Sequence, residues 1–258
     1  MIQTWSRGPA DDSMPEDLLV SVIEMVRRHP WWRARARLAL DVLKRNNVSP
    51  PASVFDVGCG WAVNLTALED AGYRVTGLDI SRRILALIDA PSRRLLEADL
   101  TQPPRAVADP AEALLALDVI EHIDDDRTAL RNMAALLRPG GIAVVSVPAL
   151  PELFSEFDEI QGHRRRYLPD SLHAAFDDTG LAVRSIFWWG AWMVPVLRRM
   201  RSRAGKSRPR TYADYLRLPR WPGPQLMALA FAVERRLAPK EWLSTGTSLF
   251  AVAARTSS

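Results

Sequence analysis

One cysteine, Cys59, stands among 258 residues. A single thiol excludes an internal disulfide and a cysteine-built metal centre. It fits a reducing compartment, so a cytoplasmic location is expected. Lysine is almost as scarce: Lys44, Lys206 and Lys240 are the only three among 34 basic residues, and arginine carries the rest. The net charge of +4 is mild for this length and gives little sign of a polyanionic partner. Long apolar runs are missing as well. The longest, Ile186 to Leu197, contains Gly190 and Pro195 and falls well short of the roughly 20 residues a membrane span needs. The opening "MIQTWSRGPADDSMPEDLL" has no charged lead before an apolar core, so no signal peptide is expected. There is no internal repeat and no low-complexity tract. Hydrophobic content of 48% and charged content of 25% are those of a globular chain.

The first fifty residues carry apolar positions at helical spacing, in "PEDLLVSVIEMVRRH" and "WWRARARLALDVLKRN". From Ser53 short apolar runs alternate with helical stretches, which argues for a mainly parallel sheet covered on both faces. "LRPGG" reads as a helix stop with Arg138 in the last turn. The alternation ends after Trp189. "AWMVPVLRRMRSR" and "PQLMALAFAVERRLAPK" read as helices, the second with Leu226, Leu229, Ala230, Val233 and Leu237 on one face. Between them "AGKSRPRTYADYLRLPRWPGP" reads as loop. "GTSLFAVAART" is a good final strand. The expected organisation is a helical cap over 1–50, a core over 51–189, a helical and basic insert over 190–245, and a last strand and tail over 246–258.

"VFDVGCGWAVN" also lacks something. A dinucleotide loop needs a third glycine to let helix and strand approach, and Val63 stands at that place. Asp56 precedes Gly58 and Gly60, where a carboxylate would repel a pyrophosphate but suits an ammonium group. S-adenosyl-L-methionine carries an ammonium and no phosphate. Asp79, ending the next strand in "GLDIS" about 20 residues on, is placed to accept from ribose hydroxyls. Asp99 in "EADL" could accept from an adenine amino group. "DVIEHI" puts Asp118, Glu121 and His122 at the same sheet edge.

In that order, "FDVGCG", "GLDIS", "EADL", "DVIEHI" and "LRPGG" resemble the successive motifs of class I S-adenosylmethionine-dependent methyltransferases, across about residues 53 to 148. Trp61 and Ala62 stand where that family often has a third glycine. "HPWWRARARLALDVLKR" and "GHRRRY" are similar to flanking segments of a bacterial subgroup. The resemblance implies a Rossmann-like α/β fold with a seven-stranded mixed sheet, the C-terminal strand antiparallel. It implies S-adenosyl-L-methionine as cofactor, held by Asp56, Gly58, Gly60, Asn64, Asp79, Ile80, Asp99, Leu100 and Asp118. Methyl transfer by an in-line SN2 step to an oxygen, nitrogen or carbon nucleophile follows, on a small-molecule, secondary-metabolite or lipid- or glycan-linked acceptor.

His163 in "GHRRRY" is the candidate base, with Glu121 and His122 beside it, though a structural pairing of His163 with Asp158 is the other reading. Asp158, Arg165, Arg166 and Tyr167 are candidate acceptor contacts, the arginines being suited to carboxylate or phosphate. No motif asks for a metal. One of Arg33, Arg35 and Arg37 could meet the cofactor carboxylate, but packing is the simpler expectation. An RNA methyltransferase, suggested by "RRMRSRAGKSRPR", and a non-catalytic cofactor binder are the rivals. The insert either roofs the acceptor pocket or also rests on a membrane.

Overall fold

The computed structural model describes residues 2–6, 15–104, 109–201 and 211–256. In chain order the elements begin with β1 (Gln3–Thr4), α1 (Glu16–Ser21), α2 (Ile23–Arg28) and α3 (Pro30–Arg45). Then follow β2 (Ser53–Val57), α4 (Val63–Asp70), β3 (Arg74–Asp79), α5 (Arg82–Ile88), β4 (Arg94–Glu97), β5 (Ala111–Leu117), α6 (Asp126–Ala134) and β6 (Leu137–Pro148). The chain continues through α7 (Glu156–Ile160), α8 (Pro169–Ala175), β7 (Leu181–Trp189), α9 (Met193–Arg201), α10 (Tyr212–Tyr215), α11 (Gly223–Leu237) and β8 (Ser248–Arg255).

Among the described residues all eight strands form one sheet, ordered β1-β4-β3-β2-β5-β6-β8-β7. Only β8 runs antiparallel to its neighbours, as expected. The sheet has one strand more than the sequence suggests, because Gln3 and Thr4 pair with Leu96 and Glu97 at the edge. Two residues show no period, so that strand leaves no pattern to read. A second difference lies at "LRPGG". Helix α6 ends at Ala134, and Leu137 to Gly141 already belong to β6, with Gly140 at φ +76°.

Alternation along the strands sorts the core into two layers. Val54, Leu115, Val144 and Val252 face Leu38, Val42 and Leu43 of α3 and Phe231 of α11. Phe55, Leu114, Val145 and Ala251 face Leu130 and Met133 of α6 and Leu172 of α8. The chain runs outward from β2 through β3 to β4, then crosses back to β5 on the other side of β2. That reversal opens a crevice at the carboxyl ends of β2 and β5, where open α/β sheets hold ligands.

The insert differs from expectation in two respects: Tyr212–Tyr215, within the segment read as loop, form helix α10, and a different face of α11 turns inward. Leu226, Leu229 and Val233 point outward, 60%, 62% and 54% exposed. The inward face of α11 is instead Phe231 and Glu234, with Met227 half-buried beside them. Glu234 explains the choice: its carboxylate accepts from the Ala191 amide at 2.7 Å, closing the turn between β7 and α9. Phe231 joins Trp31, Trp189 and Trp192 in an aromatic cluster with centroids 4.3–5.7 Å apart.

Candidate active site

The glycine-rich loop turns from β2 into α4 through Gly58 at φ +65°, Gly60 at φ +41° and Ala62 at φ +61°. A Cβ on Gly58 would stand 2.6 Å from Val119 Cγ2, so the loop can lie this close to β5 only with glycine there. Asp79 fixes the loop from the next strand: one carboxylate oxygen accepts from the Gly60 amide at 2.8 Å, the other from the Ser81 amide at 2.9 Å. Trp61 turns away from the loop toward the N-terminal helices. Its indole N–H donates to the Leu19 carbonyl at 2.8 Å, Arg27 donates to its own carbonyl at 3.1 Å, and Trp32 meets it edge-on. The missing third glycine is thus an anchor for the helices that cover the loop.

These elements wall a cavity of 1110 Å³. Pockets for one drug-sized ligand span about 300–1000 Å³, so this one has room for two. Gly58, Gly60, Asn64, Asp79, Ile80, Asp99, Leu100 and Asp118 all lie on its wall. Asp99 is held by Thr101, whose amide and hydroxyl both donate to one of its oxygens at 2.8 Å. Asp56 is the exception among the expected cofactor residues. It is fully buried beneath the loop, absent from the cavity wall, and reached by Asn64 Nδ2 at 3.5 Å. Burial pushes its carboxyl up to about 7, with Asn64 and Arg35 pulling the other way. Asp56 reaches the cavity wall through Asn64 by contact and through Arg35 and Asp79 by charge.

Arg35 is the residue that packing logic undervalues. It is 5% exposed, lies on the cavity wall, and its guanidinium pairs with Asp118, while its Nε has no partner. Burial lowers its pKa to about 10, still charged at neutral pH. Asp118 in turn sits at φ +58° and accepts from Ser146 Oγ at 3.0 Å. The available signal was phase: Arg35 falls on the stripe of Trp32, Ala36, Leu38 and Ala39, where an apolar residue belongs, whereas Arg33 and Arg37 are exposed.

His122, His163, Arg164 and Arg166 also lie on the cavity wall. His163 Nδ1 is 3.1 Å from Asp158 Oδ1, and its Nε2 is 3.9 Å from Glu121 Oε1. An acceptor at Nδ1 fixes the tautomer and leaves Nε2 with its lone pair. His122 stacks edge-on against His163, centroids 4.8 Å apart. Burial and the nearby His163 lower His122 to about 3, so it is neutral.

Asp158, Arg165 and Tyr167, expected as acceptor contacts, are not among the residues lining the cavity. Asp158 is fully buried, caps α7 through Ser155, and accepts from Arg166 Nε at 2.7 Å. Burial works to raise it, but its bonds from His163 and Arg166 outweigh that and hold it low. Arg165 pairs with Asp126 at 3.3 Å, and the Tyr167 hydroxyl donates to the same carboxylate at 2.8 Å. Only Arg166 of the expected four lies on the wall, and it is tied to Asp158 and the Ala149 carbonyl.

Glu121 is fully buried just behind the wall, and neither carboxylate oxygen has a partner. Burial raises it to about 8, against the pull of its own amide, Arg35 and Arg166. Between pH 4.5, its ordinary value, and about 8 the unfolded chain ionises Glu121 while the folded chain keeps it neutral. Stability therefore falls with rising pH across that window. Glu121→Gln removes the penalty, so its melting temperature should exceed the parent's by more at pH 8 than at pH 5. Equal differences at both values, read by calorimetry, would show that Glu121 is ionised in the fold. Glu121, His122 and His163 place one donor atom each within 4.8 Å of one another. Bonds of about 2.0–2.1 Å to a zinc-like ion hold donors roughly 3.4 Å apart, so the trio would have to contract to take one.

The methyltransferase-domain family matches residues 31–186. The chain belongs to that family. Its cofactor is S-adenosyl-L-methionine, and the carboxylates and close-approach glycine on the cavity wall fit that nucleoside. A Ralstonia nicotianae ubiquinone biosynthesis O-methyltransferase is 30% identical over 133 residues, 44% of this chain and 54% of that protein. A Pseudescherichia vulneris malonyl-[acyl-carrier protein] O-methyltransferase is 31% identical over 55% of this chain and 65% of its own. The chain thus spans about two fifths to two thirds of the length of the curated relatives it matches.

Among solved structures, the Burkholderia thailandensis 1,6-didemethyltoxoflavin N1-methyltransferase with S-adenosylhomocysteine superposes with a TM-score of 0.54, 18% identity, and 98% and 94% coverage. The methyltransferase solved with the Haloferax volcanii Trm112 activator gives 0.56 at 20% identity, covering 88% and 97%. The [4+2]-cyclase SpnF gives 0.62 at 16% identity over 99% and 100%. Since a cyclase shares the fold, these likenesses speak to architecture and not to the reaction.

Proposed function

We propose that the protein transfers a methyl group from S-adenosyl-L-methionine to a hydroxyl oxygen of a small acceptor. One observation supports this most: a single cavity is lined both by Asp79, Asp99, Gly58 and Arg35 and by His163 and Arg166. When bound, the cofactor supplies the activated methyl. Asp79 would hold the ribose, Asp99 the adenine edge, and Arg35 the amino-acid carboxylate, exchanging part of its bond to Asp118. Asn64, backed by Asp56, would serve the ammonium. His163 accepts the hydroxyl proton at Nε2, with Asp158 holding the ring and Arg166 holding Asp158. Glu121 and His122 exclude water behind it. Catalysis rests on alignment in a closed site, with base assistance added.

Several relatives methylate oxygen by name, which favours oxygen over nitrogen or carbon as the nucleophile. The "GHRRRY" segment of the bacterial subgroup would supply both the base and its brace. The helical cap over 1–50 and the insert over 190–245 would close the cofactor and acceptor ends, in a cytoplasmic protein that touches lipid at its periphery. Nucleic acid is not the proposed acceptor.

The test is transfer of labelled methyl from the cofactor into a cell extract, afterwards divided into RNA, lipid and small-molecule fractions. Label is expected outside RNA. Label confined to RNA would overturn the acceptor class. Cofactor binding with no label anywhere would leave a non-catalytic binder.

A further inference from the structure

Besides the polar group of His122, His163, Arg164 and Arg166, the cavity has an apolar stretch of wall. Trp192, Met193 and Leu197 line it from the start of α9 and Met227 from α11, with no acidic side chain among them. Three further lining residues reach solvent: Val196 is 48% exposed, Met200 44% and Leu218 37%. Side chains that both line the cavity and meet solvent mark its openings: these three place one between α9 and the segment before α11, and the exposed Thr101, Gln102, Asp124 and Glu156 line the cavity elsewhere.

The surface continuing from that mouth is also apolar. Trp221 is 80% exposed, and the outward row of Leu226, Leu229 and Val233 follows along α11. These positions fall at i, i+3 and i+7, a helix stripe that normally faces a core. Here the core-facing side is the separate row of Phe231 and Glu234, so α11 has two apolar faces and one lies open. Isolated exposed leucines need no explanation, but a continuous row beside a cavity mouth does.

The stretch carrying this row is basic. From Tyr215 to Val233 there is no acidic residue; Arg220 stands exposed, and Arg217, also exposed, pairs at 3.6 Å with Asp214 just before the stretch. Arg236, also exposed, borders the row one helical position past it. An exposed tryptophan, an aliphatic row and flanking arginines are what an interfacial helix presents to anionic headgroups. Among the described residues no helix is long and apolar enough to cross a membrane, so the contact would be at the surface.

We propose that this face rests on an anionic lipid bilayer and that the cavity mouth beside it admits an amphiphilic acceptor from the bilayer. The polar head reaches His163, and the hydrocarbon part lies along α9. The proposal rests on the methyl-transfer reading above for what happens at the head. A protein partner of complementary shape would need acidic groups to meet the arginines. A second copy of this chain would bring arginine against arginine, which disfavours self-association through this face.

The experiment uses the full chain and sonicated vesicles of phosphatidylcholine, with or without phosphatidylglycerol, at low and moderate salt. The protein should pellet with the anionic vesicles and stay in solution with neutral ones, and moderate salt should weaken pelleting several-fold. The triple variant Leu226→Glu, Leu229→Glu, Val233→Glu changes only exposed side chains. It should lose vesicle pelleting at least several-fold while binding S-adenosylhomocysteine as the parent does. That retained binding separates failure of this proposal from failure of the methyl-transfer reading. In the labelled-transfer assay the label should enter the organic-extractable fraction. Absence of pelleting on anionic vesicles at low salt, equal pelleting of the variant, or a dimer that the variant abolishes would overturn the bilayer contact. Label recovered only in water-soluble products would overturn the amphiphilic acceptor.

Discussion

Arg35→Met should weaken S-adenosylhomocysteine binding by roughly 10- to 100-fold, the worth of a charge-assisted hydrogen bond of about 1.5–3 kcal/mol. It should also lower the stability of the fold. Arg35 is the cation among Asp118, Glu121 and Asp56, and removing it leaves Asp118 in the cavity wall without its partner. Breaking such a buried pair by deleting one member destabilises by about 3–5 kcal/mol. The Asp118 side chain is 27% exposed, so the lower end applies. Arg35→Lys keeps the charge and loses the planar fork, and should fall between methionine and parent in affinity. The exposed neighbour serves as control: Arg33→Ala should change neither quantity. Calorimetric titration and thermal unfolding read both. Unchanged affinity in folded Arg35→Met would return the residue to packing alone.

The other large effect concerns turnover. His163→Ala should lower kcat by about 10²–10⁴, the usual contribution of a positioned base. Cofactor affinity should stay within twofold, because His163 is at the acceptor end. Asp158→Asn should reproduce part of the loss: it leaves the ring in place but no longer favours the tautomer with Nε2 free. A structural role for His163 would change stability and leave kcat within about threefold, and that outcome removes the base from the mechanism. The distance of 3.9 Å from Nε2 to Glu121 keeps the lone pair clear of a direct bond, open to an acceptor hydroxyl.

The cofactor end was legible because its signals are local. A strand, a glycine at positive φ and a carboxylate at the next strand end are adjacent in sequence, and their order along the chain repeats along the sheet edge. Eight of the nine residues expected there lie on the cavity wall; Asp56 is buried beneath the loop. The acceptor end was read less well. Asp158, Arg165 and Tyr167 sit in a polar loop, and polarity alone does not say whether a group faces a ligand or braces another residue. Here Asp158 braces His163, and Asp126 takes both Arg165 and Tyr167.

Helix α11 shows a related limit. Its periodicity gives two apolar rows, and which one turns inward was decided by Phe231 stacking among tryptophans and Glu234 closing a distant turn. Arg35 was concealed for the opposite reason. Its partners come from β5 and beyond, 83 residues away, and only its place on an apolar stripe marks it.

The most direct measurement of the central claim is a calorimetric titration of S-adenosylhomocysteine into the parent protein and into Asp79→Ala, each checked for folding by circular dichroism. Asp79 lies on the cavity wall at the end of β3 and steadies the Gly60 amide. The account predicts one site per chain in the parent and a loss of about 1.5–3 kcal/mol or more in the variant. No binding by the parent, or equal affinity in a folded Asp79→Ala, would contradict it.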